Sequence, residues 1–182
     1  MAESLADEIL AQILDQVLAF DDEDYSSCAD YSPFETHDWS STNTLLVCKR
    51  WMRVGTPTLY HTIVIQSNRQ ANRLARTLKK SRLGIYIRKL RLEGWFGKAL
   101  TKIFEASVNM TDICFQTTAR TKHSVDSFCS SIGSLSVQRV IIWKSDRTDT
   151  KPWVRVRQAV DEWLPSIANP VGPHWSLCSA SG

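Results

Sequence analysis

The sequence predicts an α+β protein: an N-terminal unit of three helices, then a short solenoid of β/α repeats. Three observations carry this. Apolar residues near the start recur at helical spacing. Four later segments share one strand-like template at near-constant intervals, and helical patterns fill the gaps between them. The 182 residues suffice for one substantial core, or for a small module joined to a larger one.

The opening stretch ESLADEILAQILDQVLAF predicts the first helix. Ile9, Leu10, Ile13, Leu14, Val17 and Leu18 form one broad stripe. Ser4 is read as the N-cap, and Asp7 and Glu8 sit in the first turn, where the helix dipole favours anions. Each stripe residue gains on the order of 1.5–3 kcal/mol from burial. So wide a stripe needs a cover, from its own chain or from a partner.

Residues 21–41, DDEDYSSCADYSPFETHDWSS, are acidic, serine-rich and without a period. They read as a solvated loop, longer than an ordinary connection. A second helix is expected over 42–54, capped by Thr42 or Asn43 and ended by Gly55. Thr56-Pro57 then starts another helical turn, with proline at its first position.

Within the second helix, Cys48 is followed by Lys49 and Arg50. Neighbouring cations can activate a thiol. A mid-helix position, however, groups Cys48 with Leu45 and Trp51 and turns both cations away. Cys48 is therefore expected to be a small buried hydrophobe.

After residue 60 the period changes. The triples Tyr60-Ile63-Ile65, Ile87-Leu90-Leu92, Met110-Ile113-Phe115 and Val137-Val140-Ile142 share one pattern, with central residues spaced by 27, 23 and 27. Between them lie helical faces: Ala71, Leu74, Ala75 and Leu78, with Ser67 and Gln70 set as a capping box; Leu100, Ile103 and Phe104; Val125, Phe128 and Cys129. Val154, Val156, Val160 and Trp163 suggest a fourth helix. A strand plus a helix every 23–27 residues is the sign of a solenoid of leucine-rich-repeat type, in which stacked neighbours bury one another's apolar faces. The alternative is a compact α/β domain with four parallel strands. In the solenoid, a concave face would carry Arg91, Glu93, Cys114, Gln116 and Ile141. The expected organisation is a helical module at 1–60, repeats at 61–164, and an irregular or disordered tail at 165–182.

Little in the chain points to bond chemistry. Five scattered cysteines include no CxxC pair, and the four histidines include no Cys-His spacing. No phosphate loop, nucleophile elbow or metal-ligand cluster appears among only seven glycines and the scattered acids. A non-catalytic protein without cofactor or metal is expected. The cysteine usage fits a reducing compartment, cytoplasm or nucleus. No apolar run approaches the roughly 18–20 residues of a membrane span, and the acidic start is not a secretory signal. A net charge of +3 is too mild to argue nucleic-acid binding. The charge is nonetheless uneven: Arg69, Arg73, Arg76, Lys79, Lys80, Arg82, Arg88, Lys89 and Arg91 form a run without an acid. It reads as a solvated face, with an acidic partner or nucleic-acid phosphates as the sharper alternative.

The first 60 residues resemble the F-box motif. Leu5, Glu8, Ile9, Leu10, Ile13 and Leu14 match its opening L-P-x-E-I-L-x-x-I-L, with Ala6 where the motif has proline. Leu45 through Trp51, LLVCKRW, match its second-helix signature, and Thr56-Pro57-Thr58-Leu59-Tyr60 looks like the turn that follows in fungal F-box-like proteins. The segments IRKLRLEG and ASVNMTDICF also look like the leucine-rich region of such proteins. The resemblance implies a substrate receptor of a Skp–cullin–F-box ubiquitin ligase. The helices would bind the Skp-family adaptor, and through it a cullin; the repeats would bind a target protein. It implies that Leu5, Ile9, Leu10, Ile13, Leu14, Val47 and Trp51 form the adaptor surface or the packing beneath it.

Overall fold

The computed structural model describes residues 5–29, 31–35, 39–116, 125–144, 151–167 and 174–179. The protein is α+β, as expected. Helix α1, Asp7–Leu18, starts with Ala6 at its N-cap, so its first turn has no side-chain cap. Ser4 lies outside the described residues. The first turn of α1 is held instead by charge: Asp7 accepts from Arg50 Nε at 2.8 Å and from Arg53 Nη2 at 2.6 Å, both in the helix Lys49–His61. These two hydrogen bonds hold the Asp7 carboxyl below its ordinary pKa.

The expected single helix over 42–54 is two pieces. Trp39–Leu46 form a 3-10 helix, the helical geometry is interrupted at Val47 and Cys48, and α3 runs from Lys49 to His61. The stretch WSSTNT explains the break, because Ser, Thr and Asn compete for backbone hydrogen bonds and weaken an α-helix. Gly55 does not end α3, and Pro57 lies inside it. Gly55 serves close packing: a Cβ there would meet Leu45 Cδ2 at 2.4 Å and Leu14 Cδ1 at 3.1 Å. Leu10, Leu14, Leu18 and Leu45 bury themselves there, with Trp51, Val54 and Leu59 packed against them.

The rest is a five-stranded parallel sheet whose strands follow sequence order. They are β1 (Thr62–Ile65), β2 (Lys89–Leu92), β3 (Asp112–Gln116), β4 (Arg139–Lys144) and β5 (His174–Ser179). The repeated template is in register: Ile63 pairs with Leu90, Leu90 with Ile113, and Ile113 with Val140. Ile65, Leu92, Phe115 and Ile142 form the next row. Helices α4 (Asn68–Lys80), α5 (Lys98–Ala106), α6 (Asp126–Ile132) and α7 (Lys151–Ile167) occupy the intervals, each packed on the next. The Ser67–Gln70 capping box of α4 forms as expected.

The core lies between this helix layer and the Leu90, Ile113 and Val140 side of the sheet. Phe128 of α6 sits at its centre, 4.8 Å from the Trp95 ring and 5.0 Å from Phe115, both edge-on. Two expectations are corrected at the C-terminal end. Helix α7 continues through Pro165 to Ile167, and His174–Ser179 pair with β4 as a fifth strand. The tail from 165 is thus partly regular; residues 168–173 and 180–182 lie outside the described residues.

Candidate functional site

Two surfaces gather the residues of interest. The first is the helical unit. Leu10 and Leu14 are buried, whereas Leu5, Ile9, Ile13 and Val17 stand between 41 and 45% exposed. Helix α1 thus shows one apolar face to α3 and a second to solvent. Arg50 donates to the Leu5 carbonyl and to Asp7, which sets the start of α3 beside the start of α1. Val47 and Leu46 at that end are exposed, as is Met52. Trp51 is half-buried against the leucine cluster. Of the seven residues expected at an adaptor surface, Leu5, Ile9, Ile13 and Val47 face solvent and Leu10 and Leu14 lie beneath. Cys48 departs from expectation: it is the exposed N-cap of α3, because the helix break frees it from the buried stripe.

The second surface is the sheet face opposite the helix layer. Alternation along each strand turns Lys89, Arg91, Cys114, Arg139, Ile141 and Trp143 to this side. It is not open. Residues 21–29 and 31–35, expected to form a solvated loop, lie across it. Asp22–Ser26 form the one-turn helix α2, and Tyr25 and Phe34 are buried. Tyr25 packs with Cys114, Ile141 and Trp143, and its hydroxyl donates to the Leu90 carbonyl at 3.3 Å. The correction has a simple cause: an acidic segment meets a basic, aromatic face.

Asp22 is the electrostatic anchor. It accepts from Lys89 Nζ at 2.6 Å and from Arg139 Nη1 at 2.7 Å. The Lys89 bond is the main reason the Asp22 carboxyl sits below its ordinary pKa; partial burial opposes it, and Arg139 adds to it. Burial pushes the Tyr25 phenol well above 10 and the Cys114 thiol up to about 12. A thiol so placed is no nucleophile at neutral pH.

Arg91 is fully buried under the segment. Its Nε donates to Glu93 at 2.9 Å, and its Nη1 donates to the backbone carbonyls of Tyr25 and Ser27 at 2.8 Å each. The guanidinium lies 4.1 Å from the Trp143 ring centroid and 5.6 Å from that of Phe34. Among the described residues its Nη2 has no hydrogen-bond partner. Glu93 also accepts from Ser32 Oγ at 2.5 Å and Gln66 Nε2 at 3.0 Å.

The basic run therefore splits. Arg69, Arg73 and Arg76 are exposed on α4, while Lys89 and Arg91 face the segment on the other side of the sheet. Sequence reasoning missed Asp22, Tyr25, Phe34 and Trp143. A signal was present: ICF and VIIW are apolar at consecutive positions, the mark of strands covered on both faces. Among the described residues, no group of three or more His, Cys, Asp or Glu is arranged to hold a metal ion. Among them, no helix is long and apolar enough to cross a membrane. No family model, curated protein or solved structure matches the chain.

Proposed function

We propose that the chain is a non-catalytic substrate receptor of a Skp–cullin–F-box ubiquitin ligase, working in the cytoplasm or nucleus. The N-terminal helical unit, an F-box-like module, would dock on the Skp-family adaptor. The β/α part, a short solenoid of leucine-rich-repeat type, would present a target protein. One observation carries the reading: α1 keeps Ile9, Ile13 and Val17 in solvent, with Leu5 exposed just before it, while Leu10, Leu14 and Leu18 already bury its other face. Exposed apolar side chains aligned on one helix face, with Val47 at the same end, fit docking of a partner helix or groove. Leu5, Ile9 and Ile13 are among the positions at which the sequence resembles the F-box opening, and Val47 lies in the second-helix signature.

The test is co-purification of the full chain with a Skp-family adaptor. The wild-type chain is expected to retain the adaptor, and Ile13→Asp to lose it while staying folded. No retention by the wild-type chain, or undiminished retention by Ile13→Asp, overturns the proposal. The remaining reading would then be an interaction scaffold whose helical end only caps the repeats.

A further inference from the structure

Residues 19–38 connect α1 to the 3-10 helix, and both of those helices pack on α3, so a shorter connection would serve. The chain instead crosses to the far face of the sheet and places an aspartate and a tyrosine there. We propose that this face is a recognition site for acidic, tyrosine-bearing peptide segments of the form Asp-x-x-Tyr, and that residues 22–28 are its intramolecular occupant.

The geometry is that of a ligand on a receptor. Asp22 and Tyr25 stand three apart on one helical turn, which points them the same way. Lys89 and Arg139 grip the carboxylate from two different strands. Tyr25 fills the space above Cys114, Ile141 and Trp143, and Lys89 Nζ lies 5.4 Å from its ring centroid. Arg91 reads the occupant through two backbone carbonyls, a contact any peptide in this conformation offers. Among the described residues its buried Nη2 still lacks a partner. Arg91 is ion-paired with Glu93, so it offers the occupant backbone-directed donors, and selection for an acidic segment comes from Lys89 and Arg139. The recognised features are thus an aspartate, a tyrosine three residues later, and the carbonyls that follow. The occupant is tethered, so a free segment must compete with an effective concentration in the mM range.

The site uses none of the residues of the helical docking face, so this proposal and the adaptor proposal fail separately. The probe is a fluorescein-labelled peptide with the sequence of residues 20–35, carrying Cys28→Ser, added to the full chain and followed by fluorescence anisotropy. Wild-type chain is expected to bind weakly. Asp22→Ala in the chain loosens the tethered occupant and should tighten binding of the free peptide by about tenfold. Adding Lys89→Ala and Arg139→Ala to that variant should abolish binding. Equal affinity for Asp22→Ala and wild type overturns the proposal. So does equal binding of a scrambled peptide, or binding that survives loss of Lys89 and Arg139.

Hydrogen exchange of the wild-type chain keeps the proposal testable without any variant. Amides of residues 22–28 should exchange at least about tenfold faster than those of β2 and β3, and excess peptide should accelerate them further. Exchange of the segment only together with β2 and β3 would make it core, and the proposal would fall.

Discussion

The two faces of α1 make opposite predictions for substitutions one residue apart. Leu14 has no exposed surface, and its Cδ1 lies where a Cβ on Gly55 would come within 3.1 Å. Leu14→Ala therefore opens a cavity between α1 and α3. The Asp7 ion pairs hold α1 against α3 at its start, which limits collapse of that cavity. A cost of about 3 kcal/mol is expected, within the range for buried leucines. Ile13 is 45% exposed, so Ile13→Asp forfeits little burial. Its cost is about 0.5–1 kcal/mol, at the low end for point substitutions. With a urea slope of about 2 kcal/mol/M, Leu14→Ala moves the unfolding midpoint of the helical unit down by roughly 1.5 M, and Ile13→Asp by under about 0.5 M. Urea titrations of the full chain, followed by Trp fluorescence and far-UV circular dichroism, give both numbers. If Ile13→Asp shifts the midpoint as far as Leu14→Ala, the outer face of α1 is already buried and the docking argument fails.

Two further predictions concern close approach and charge. A Cβ at Gly84 would lie 2.2 Å from the backbone oxygen of Ala106, which cannot rotate away, so Gly84→Ala should cost about 1–3 kcal/mol. At Gly55 the contacts are with the tips of Leu45, Leu14 and Leu18, which can shift, and alanine's gain of about 1 kcal/mol in helix propensity offsets part of the crowding, so Gly55→Ala should cost less than Gly84→Ala. Thermal melts of the two variants check the order, and its reversal would refute the packing account. The Asp22 carboxyl is held below its ordinary 3.8 in the folded chain. Its contribution to holding the segment is therefore present above the unfolded pKa and lost as pH falls through the lower folded value. An NMR titration of Asp22 should give a pKa below 3.8 that rises in Lys89→Ala more than in Arg139→Ala, and an unchanged value in Lys89→Ala would contradict the pairing.

Much of the fold was legible because strand stacking repeats one local rule. Ile63, Leu90, Ile113 and Val140 occupy the same position in each template and the same row of the sheet. The fifth strand escaped for a local reason. Trp175 pairs with Val140 in that row, but it follows after 35 residues, and glycine at position 172 stands where the template needs its first apolar residue. Backbone pairing does not require that residue, so the strand forms without the signature. The second helix failed differently. Its apolar spacing was compatible with α-helix, yet the run of Ser, Thr and Asn before Leu45 favoured 3-10 geometry, and the break moved Cys48 from a buried stripe to an exposed cap.

The sheet-face site was hidden by averaging over composition. Residues 21–41 are acidic as a group, and that average obscures Tyr25 and Phe34, the two side chains that decide where the segment goes. The basic run hid its own division in the same way. Alternation along β2 separates Leu90 and Leu92 from Lys89 and Arg91, and the lateral neighbours of Arg91 are Val64 and Cys114, with Ile141 one strand further. A cation flanked by apolar residues across three strands does not belong to a solvated surface. It needs a cover that supplies acceptors at the cation and apolar area around it. Within the chain, the acidic segment brings both: carbonyls of Tyr25 and Ser27 for Arg91, a carboxylate for Lys89 and Arg139, and the Tyr25 ring for Ile141 and Trp143. The two misread segments were complements of one another, and either one, read by its facing residues, specifies the chemistry of the other.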